Sequence, residues 1–384
     1  MRVVGYAYPW DVLEAGFVDR ANSLGVDEVA VALSYHSARA STPWSHEKTS
    51  VIARHAALYR PVREEAWSGA RLRPAKPDWV DSVDSGGDAV RALNAAGVPA
   101  AAWLVLTHSS LLGTEFPDVA VRNCFGESYP WALCPAQPEV QQYAAKVTAE
   151  SVRGLELSSV ILEACGPLGA IHQHQHEKTD GVWSPAVARL LSVCCCVACA
   201  TGWTEAGADA DEIVSALRGE VRRLMDLGDL SSTEDALPAE MRDLILSIRQ
   251  RATDDLRRGV LAEIAEGTRL VLHGALDPWV TGALPGLTPT AANDVDAVVL
   301  FAWAPGQGSI DAVADARAKL PSAVDIGSYI TAVAANAVGD IEAYAGELGK
   351  AGAAELHLYH LGLAGAARWP DLRAATGAAH NSSH

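Results

Sequence analysis

The sequence predicts an α/β fold, a (β/α)8 TIM barrel with long insertions after strands 2 and 4. Three observations predict it. Eight short β-branched or apolar runs recur along the chain, each followed by a stretch of helical period, and parallel neighbours need such crossovers. The 384 residues suffice for one barrel with insertions. With 49% hydrophobic residues against 20% charged, the chain can bury a large core, which excludes a mainly disordered protein.

The first run, VVGYAY (3–8), leads into the helical VLEAGFVDRANSLG. EVAVAL (28–33) is followed by an excursion over about 35–81, rich in Pro, Trp and Arg, before DAVRALNAAG. PAAAWLVL (99–106) precedes the helix PEVQQYAAKVTAESVRG. SVILEA (159–164) opens the longest excursion, about 165–266, which holds a histidine run, a cysteine cluster and a helical pair over about 209–265. RLVLHG (269–274), AVVLFAW (297–303), VDIGSYI (324–330) and ELHLYHL (355–361) complete the barrel, with GDIEAYAGELGKAG between the last two. Residues 1–372 are therefore expected to form one barrel domain, and 373–384, ending in HNSSH, a flexible tail.

Charge and motif content narrow the function. A net charge of -17, from 30 basic and 47 acidic residues, argues against nucleic acid or an anionic membrane as partner. Met1-Arg2 runs directly into a strand, so no secretory leader is expected and the predicted compartment is the cytoplasm. The chain has no G-x-x-x-x-G-K-[ST] loop and no G-x-G-x-x-G after strand 1, so no nucleotide cofactor is expected; a G-x-S-x-G elbow is also missing.

Barrel sites are built where strands end at the C-terminal face. Those ends are rich in aromatic and imidazole side chains, Tyr8, Trp10, His36, Trp103, His108, His273, Trp303, Tyr329 and His360, with Arg39 beside them. Flat rings for apolar sugar faces, with a few polar groups, is the composition expected for a small carbohydrate-like substrate. Glu163 is the sharpest single residue, because it ends an otherwise apolar strand, where burial costs energy and raises a carboxyl pKa toward that of a general acid. Glu177 and Asp277 are the candidates for a second catalytic carboxylate, with Asp325 less favoured.

In IHQHQHEKTD, His172, His174 and His176 alternate ahead of Glu177 and Lys178; on an extended segment the three imidazoles share a face for substrate hydroxyls or a metal. Cys194, Cys196 and Cys199 have the C-x-C-x-x-C spacing that wraps a turn around one tetrahedral ion once a fourth ligand arrives. A thiolate-rich site of this kind is structural, and zinc is the expected ion.

The strand-4 Glu163, the CPAQPEV lead-in to a helix and the later C-x-C-x-x-C together resemble clan A glycoside hydrolases, and in particular family 42 β-galactosidases. The resemblance implies an acid/base role for Glu163 and a structural zinc on Cys194, Cys196 and Cys199, joined by Cys124 or Cys134 upstream. Two positions depart from that pattern: Leu162 stands where those enzymes usually carry Asn, and VDIGSYITAVAAN contains no strand-7 Glu. Retention requires carboxyl groups about 5 Å apart and inversion about 6.5–9.5 Å, so the second carboxylate decides the stereochemistry. The leading expectation is a glycoside hydrolase acting on a small glycoside. The alternatives are a metal-dependent sugar or cyclitol lyase or isomerase using the His172–His176 run, and a non-catalytic carbohydrate-binding pseudoenzyme.

Overall fold

The computed structural model describes residues 1–171, 178–179, 181–334 and 339–382. Eight strands form the barrel: β1 (Arg2–Ala7), β2 (Glu28–Tyr35), β3 (Ala100–Val105), β4 (Ser159–Glu163), β5 (Arg269–His273), β6 (Ala297–Phe301), β7 (Asp325–Thr331) and β8 (Glu355–Tyr359). Neighbours pair in parallel around the ring, and β1 closes it by pairing with both β8 (Gly5↔Leu358) and β2 (Val4↔Glu28). The closed parallel barrel expected from the eight apolar runs is the fold observed.

Strand periodicity sorts the core into two layers. Along β3, Ala100, Ala102 and Leu104 pack outward on a shell that includes Val90, Leu93, Val140 and Val147 of the surrounding helices. Ala101, Trp103 and Val105 belong to the inner layer, with Tyr6, Ile161, Val271 and Tyr329. The N-terminal floor is charged and paired. Arg2 contacts Glu28 at 3.1 Å, and Arg269 Nη2 donates to both Asp325 and Glu355 at 2.6 Å. Asp325 is therefore a floor residue, away from the site at the other end.

The excursion after β2 contains the hairpin Ala38–Ser41/Ser50–Ala53 and the short strand Ala57–Leu58, which pairs antiparallel with β2. Chain direction is then restored by the helix Ser85–Ala95, whose N-cap Asp84 accepts from Gly87 N at 3.3 Å. After β4 come helices Pro185–Leu191, Val197–Glu205, Ala210–Leu227 and Ala239–Leu261. The last of these packs against Pro138–Val152 and serves as a crossover helix of the barrel.

Two features differ from the sequence reading. A third excursion follows β3, made of helix Ser110–Glu115 and the hairpin Ala120–Arg122/Ser128–Leu133. Gly113 allows it, because a Cβ there would collide with the carbonyl of Pro130. Residues 373–381, read as a flexible tail, form most of the helix Trp369–Asn381. Leu372, Ala375, Thr376 and Ala379 give it a buried stripe at i, i+3, i+4 and i+7, and the Met1 amino group donates to Ala379 O at 2.7 Å. No described helix is long and apolar enough to cross a membrane.

Candidate active site and metal centre

Glu163 ends β4, and the register Val105↔Glu163 sets it beside β3. Its side chain is buried at 5% exposure. Trp103 Nε1 donates to Oε2 at 2.8 Å, and His273 Nδ1 lies 3.5 Å from the same oxygen. Burial pushes the carboxyl up to about 7, although the Trp103 hydrogen bond pulls the other way. Near neutral pH it is thus available as an acid.

Aromatic rings wall the mouth. Tyr8 stacks on Trp10 at 4.5 Å, Tyr35 meets Trp103 edge-on at 4.6 Å, and Trp303 lies 4.7 Å from Tyr359 and 5.7 Å from Tyr329. Tyr359 ends β8 beside His360, and burial pushes the hydroxyl pKa values of Tyr8, Tyr35, Tyr329 and Tyr359 up, so all four stay neutral. Three nitrogens in this wall, Trp10 Nε1, Trp303 Nε1 and His360 Nε2, have no hydrogen bond partner among the described residues. For His360 the tautomer follows from its surroundings. Gly362 N donates to Nδ1 at 3.2 Å, and burial holds the ring pKa down at about 3, so the single proton sits on Nε2. Buried donors without partners are costly, and a bound ligand with acceptor groups could satisfy these three.

Asp11 was missed by the sequence reading. It is buried at 6% exposure, accepts from Tyr8 N at 3.1 Å, and lies 3.7 Å from His360 Nδ1. Burial raises its carboxyl to about 7. The fit is close: a Cβ on Gly362 would collide with the Asp11 carboxyl. The signal was weak, since Asp11 opens a short helix where an acidic residue usually serves as a cap.

The other candidates separate. His36, half-buried, stacks on Tyr35 at 4.2 Å and lies 4.4 Å from buried His108. Arg39 is exposed on the hairpin after β2, and Lys178 is exposed too. Asp277 is exposed, with Oδ1 accepting from Trp279 N at 2.9 Å, so it caps its own turn. His172, His174, His176 and Glu177 lie outside the described residues.

The sulfur atoms of Cys134, Cys194, Cys196 and Cys199 all lie within 4.8 Å of one another. Cys134 Sγ is 3.6 Å from Cys196 Sγ and 3.7 Å from Cys199 Sγ. A tetrahedron with metal–sulfur bonds of about 2.3 Å has edges of about 3.8 Å, so the four thiols could hold a metal ion. Backbone Arg122 N and the Gln137 amide approach Cys194 and Cys196 Sγ at 3.5 Å each, an outer ring of donors suited to thiolates. Cys124 is not in the group; it sits in the hairpin turn, where its carbonyl accepts from Arg218. The cluster joins two excursions, because Cys134 follows the β3 hairpin and the other three open the helix Val197–Glu205.

No family model matches the chain, and no curated protein sequence matches it. Solved structures do. The chain is similar to α-L-fucosidase isoenzyme 2 from Paenibacillus thiaminolyticus, with 13% identity and a TM-score of 0.58, covering 98% of this chain and 48% of that one. For the catalytic domain of β-amylase from Paenibacillus polymyxa the values are 12% and 0.57, covering 100% and 99%. For Gan42B, a GH42 β-galactosidase from G. stearothermophilus, they are 9% and 0.53, covering 94% and 51%. The chain thus spans about half the length of the fucosidase and galactosidase and nearly all of the amylase domain. At these identities the likeness is one of fold: the chain has the (β/α)8 barrel that these glycoside hydrolases share.

Proposed function

We propose that the protein is a glycoside-hydrolase-like enzyme that cleaves a small glycoside, with Glu163 as proton donor. The observation that supports it is the buried Glu163 carboxyl, raised to about 7, among aromatic rings at the mouth of the barrel. Trp10, Trp303 and His360 offer N–H groups that have no partner among the described residues to sugar hydroxyls, and the rings of Tyr8, Trp10 and Trp303 offer apolar faces to the sugar. For the second carboxyl group, Asp11, Glu177 and Asp277 are the candidates. We read the four-cysteine cluster as a structural zinc site, which suits a reducing compartment such as the cytoplasm.

The test is Glu163→Gln assayed on paired substrates. A general acid contributes about 10²–10⁴-fold when the leaving group is poor. The variant should lose that factor on an alkyl glycoside and far less on a nitrophenyl glycoside, whose leaving group needs little protonation. Equal losses on both substrates, or none on either, would sink the assignment. Wild-type protein that binds sugars and turns over none would favour the binding-only reading. Activity lost on chelation and restored by a divalent metal would favour the lyase or isomerase.

A further inference from the structure

The thiol cluster shares a cavity with one cation. Cys134, Cys194 and Cys199 line it together with Arg249, and apolar side chains such as Trp203 and Ile248 make up most of the remaining wall. The one hydroxyl there, Ser192 Oγ, is engaged elsewhere, donating to Ala188 O at 2.7 Å and accepting from Ala170 N at 3.0 Å. Arg249 is the one basic side chain among the described residues of this wall. It stands on the helix Ala239–Leu261, and the loop after β5 fixes its head: Nη2 donates to Val280 O at 2.7 Å and to Trp279 O at 3.2 Å. The other terminal nitrogen, Nη1, is buried and has no hydrogen bond partner among the described residues. The carboxylate whose charge acts on Arg249 most is Asp277, which is exposed to water. A buried guanidinium with a free donor is costly unless a nearby anion answers it.

We propose that Arg249 is the counter-charge of the four-cysteine centre, a positioning residue that lets the site hold a divalent metal with its excess negative charge. The inference rests on the reading of the four cysteines as a metal centre. Metal is bound by thiolates and not by thiols, so four of them around a divalent ion leave two negative charges in excess. Arg122 N and the Gln137 amide are neutral donors and do not cancel that charge. An apolar wall screens it poorly, so a cation fixed in the same wall counts for more than one on the surface. Burial pulls the Arg249 pKa down to about 10, and negative charge on Asp277, Cys199 and Cys194 acts the other way, so the side chain is a cation at neutral pH.

Two other arginines nearby serve different partners. Arg218 donates to Cys124 O through Nε and Nη2, and its charge acts on Cys124 and Cys195, which both lie outside the cluster. Arg122 Nη1 donates to Gly126 O at 2.9 Å in its own hairpin. The centre therefore draws on three segments: Cys134 after the β3 hairpin, the C-x-C-x-x-C turn, and the long helix that carries Arg249.

Metal competition tests the proposal without any assay of activity, with zinc as the probe and a chromogenic chelator as the competitor. Three variants separate charge from hydrogen bonding and packing. Arg249→Gln keeps a donor for the loop carbonyls and loses the charge. Arg249→Met keeps an apolar stem and loses both, and Arg249→Lys keeps the charge. Outer groups of a metal site contribute about 10–100-fold to metal affinity. The Gln and Met variants should each weaken zinc binding by a factor in that range, and the Lys variant should recover most of the loss. Should the Met variant not fold, the comparison of Gln with Lys carries the test. Zinc bound as tightly by the Gln variant as by wild type, or as weakly by Lys as by Gln, overturns the proposal, because the residue would then act as a brace for the loop. Wild-type protein that binds no zinc would remove the metal reading and this role with it, whereas zinc-loaded wild type with unaffected variants would remove only the role of Arg249.

Discussion

Trp103 Nε1 donates to Glu163 Oε2 at 2.8 Å across the β3–β4 register, and this bond is the pull toward the charged form that opposes burial of the carboxyl. Trp103→Phe removes the donor and keeps most of the ring. The Glu163 pKa should then rise further above about 7. The alkaline limb of the kcat/KM profile is expected to move to higher pH, since an acid remains protonated longer. A pH–rate profile checks this, and a limb that moves down argues against the assignment.

Ionising Glu163 in the fold makes stability depend on pH. Its folded value of about 7 lies above its ordinary 4.5, so the folded state holds the proton more tightly. Stability from this group is full below about 4.5 and falls as pH rises through about 7. The loss is on the order of 3 kcal/mol. Glu163→Gln removes the penalty, so the variant's melting temperature relative to wild type should be higher at pH 8.5 than at pH 4.5. His360 acts in the opposite sense: its value of about 3 lies below the ordinary 6.5, so its contribution is lost as pH falls from 6.5 through 3. Melting curves of both proteins across this range decide the matter.

For His360, the Nε2–H has no partner among the described residues. His360→Phe fills the space with an apolar ring and removes the donor. Loss of one hydrogen bond to a bound sugar costs about 1 kcal/mol, or roughly five-fold in affinity. Calorimetric titration should show this weakening with near-normal melting. Unchanged sugar affinity would place the ligand elsewhere.

The thiol cluster makes a stability prediction. Purified protein should carry about one zinc per chain, and Cys196→Ser should lower stability by several kcal/mol, on the order expected for a structural site. Cys124→Ser is the internal comparison, since that thiol lies outside the cluster, and it should leave metal content unchanged. Metal analysis and melting of the three proteins read both effects. Metal-free wild-type protein with the same melting temperature as the loaded form would end the zinc reading.

The sequence by itself determined the barrel, because strand runs such as EVAVAL and SVILEA followed by helical periods leave parallel pairing as the consistent way to bury them. It also determined that Glu163 would be buried at a strand end and that Cys194, Cys196 and Cys199 would lie on one turn, since both are local facts. Only the tertiary structure decided the partners. The choice of Cys134 over Cys124 depended on how the β3 hairpin folds back over the β4 excursion, and neighbouring sequence carries no record of that approach. Asp11 and His360 meet although they stand at opposite ends of the chain, because closure of the ring brings β1 beside β8. The same closure gathers Tyr6, His273, His357 and Glu355 into one file from three strands. Each alone reads as an isolated polar residue in an apolar run, and the hydrogen bonds that join them need contact and orientation in space.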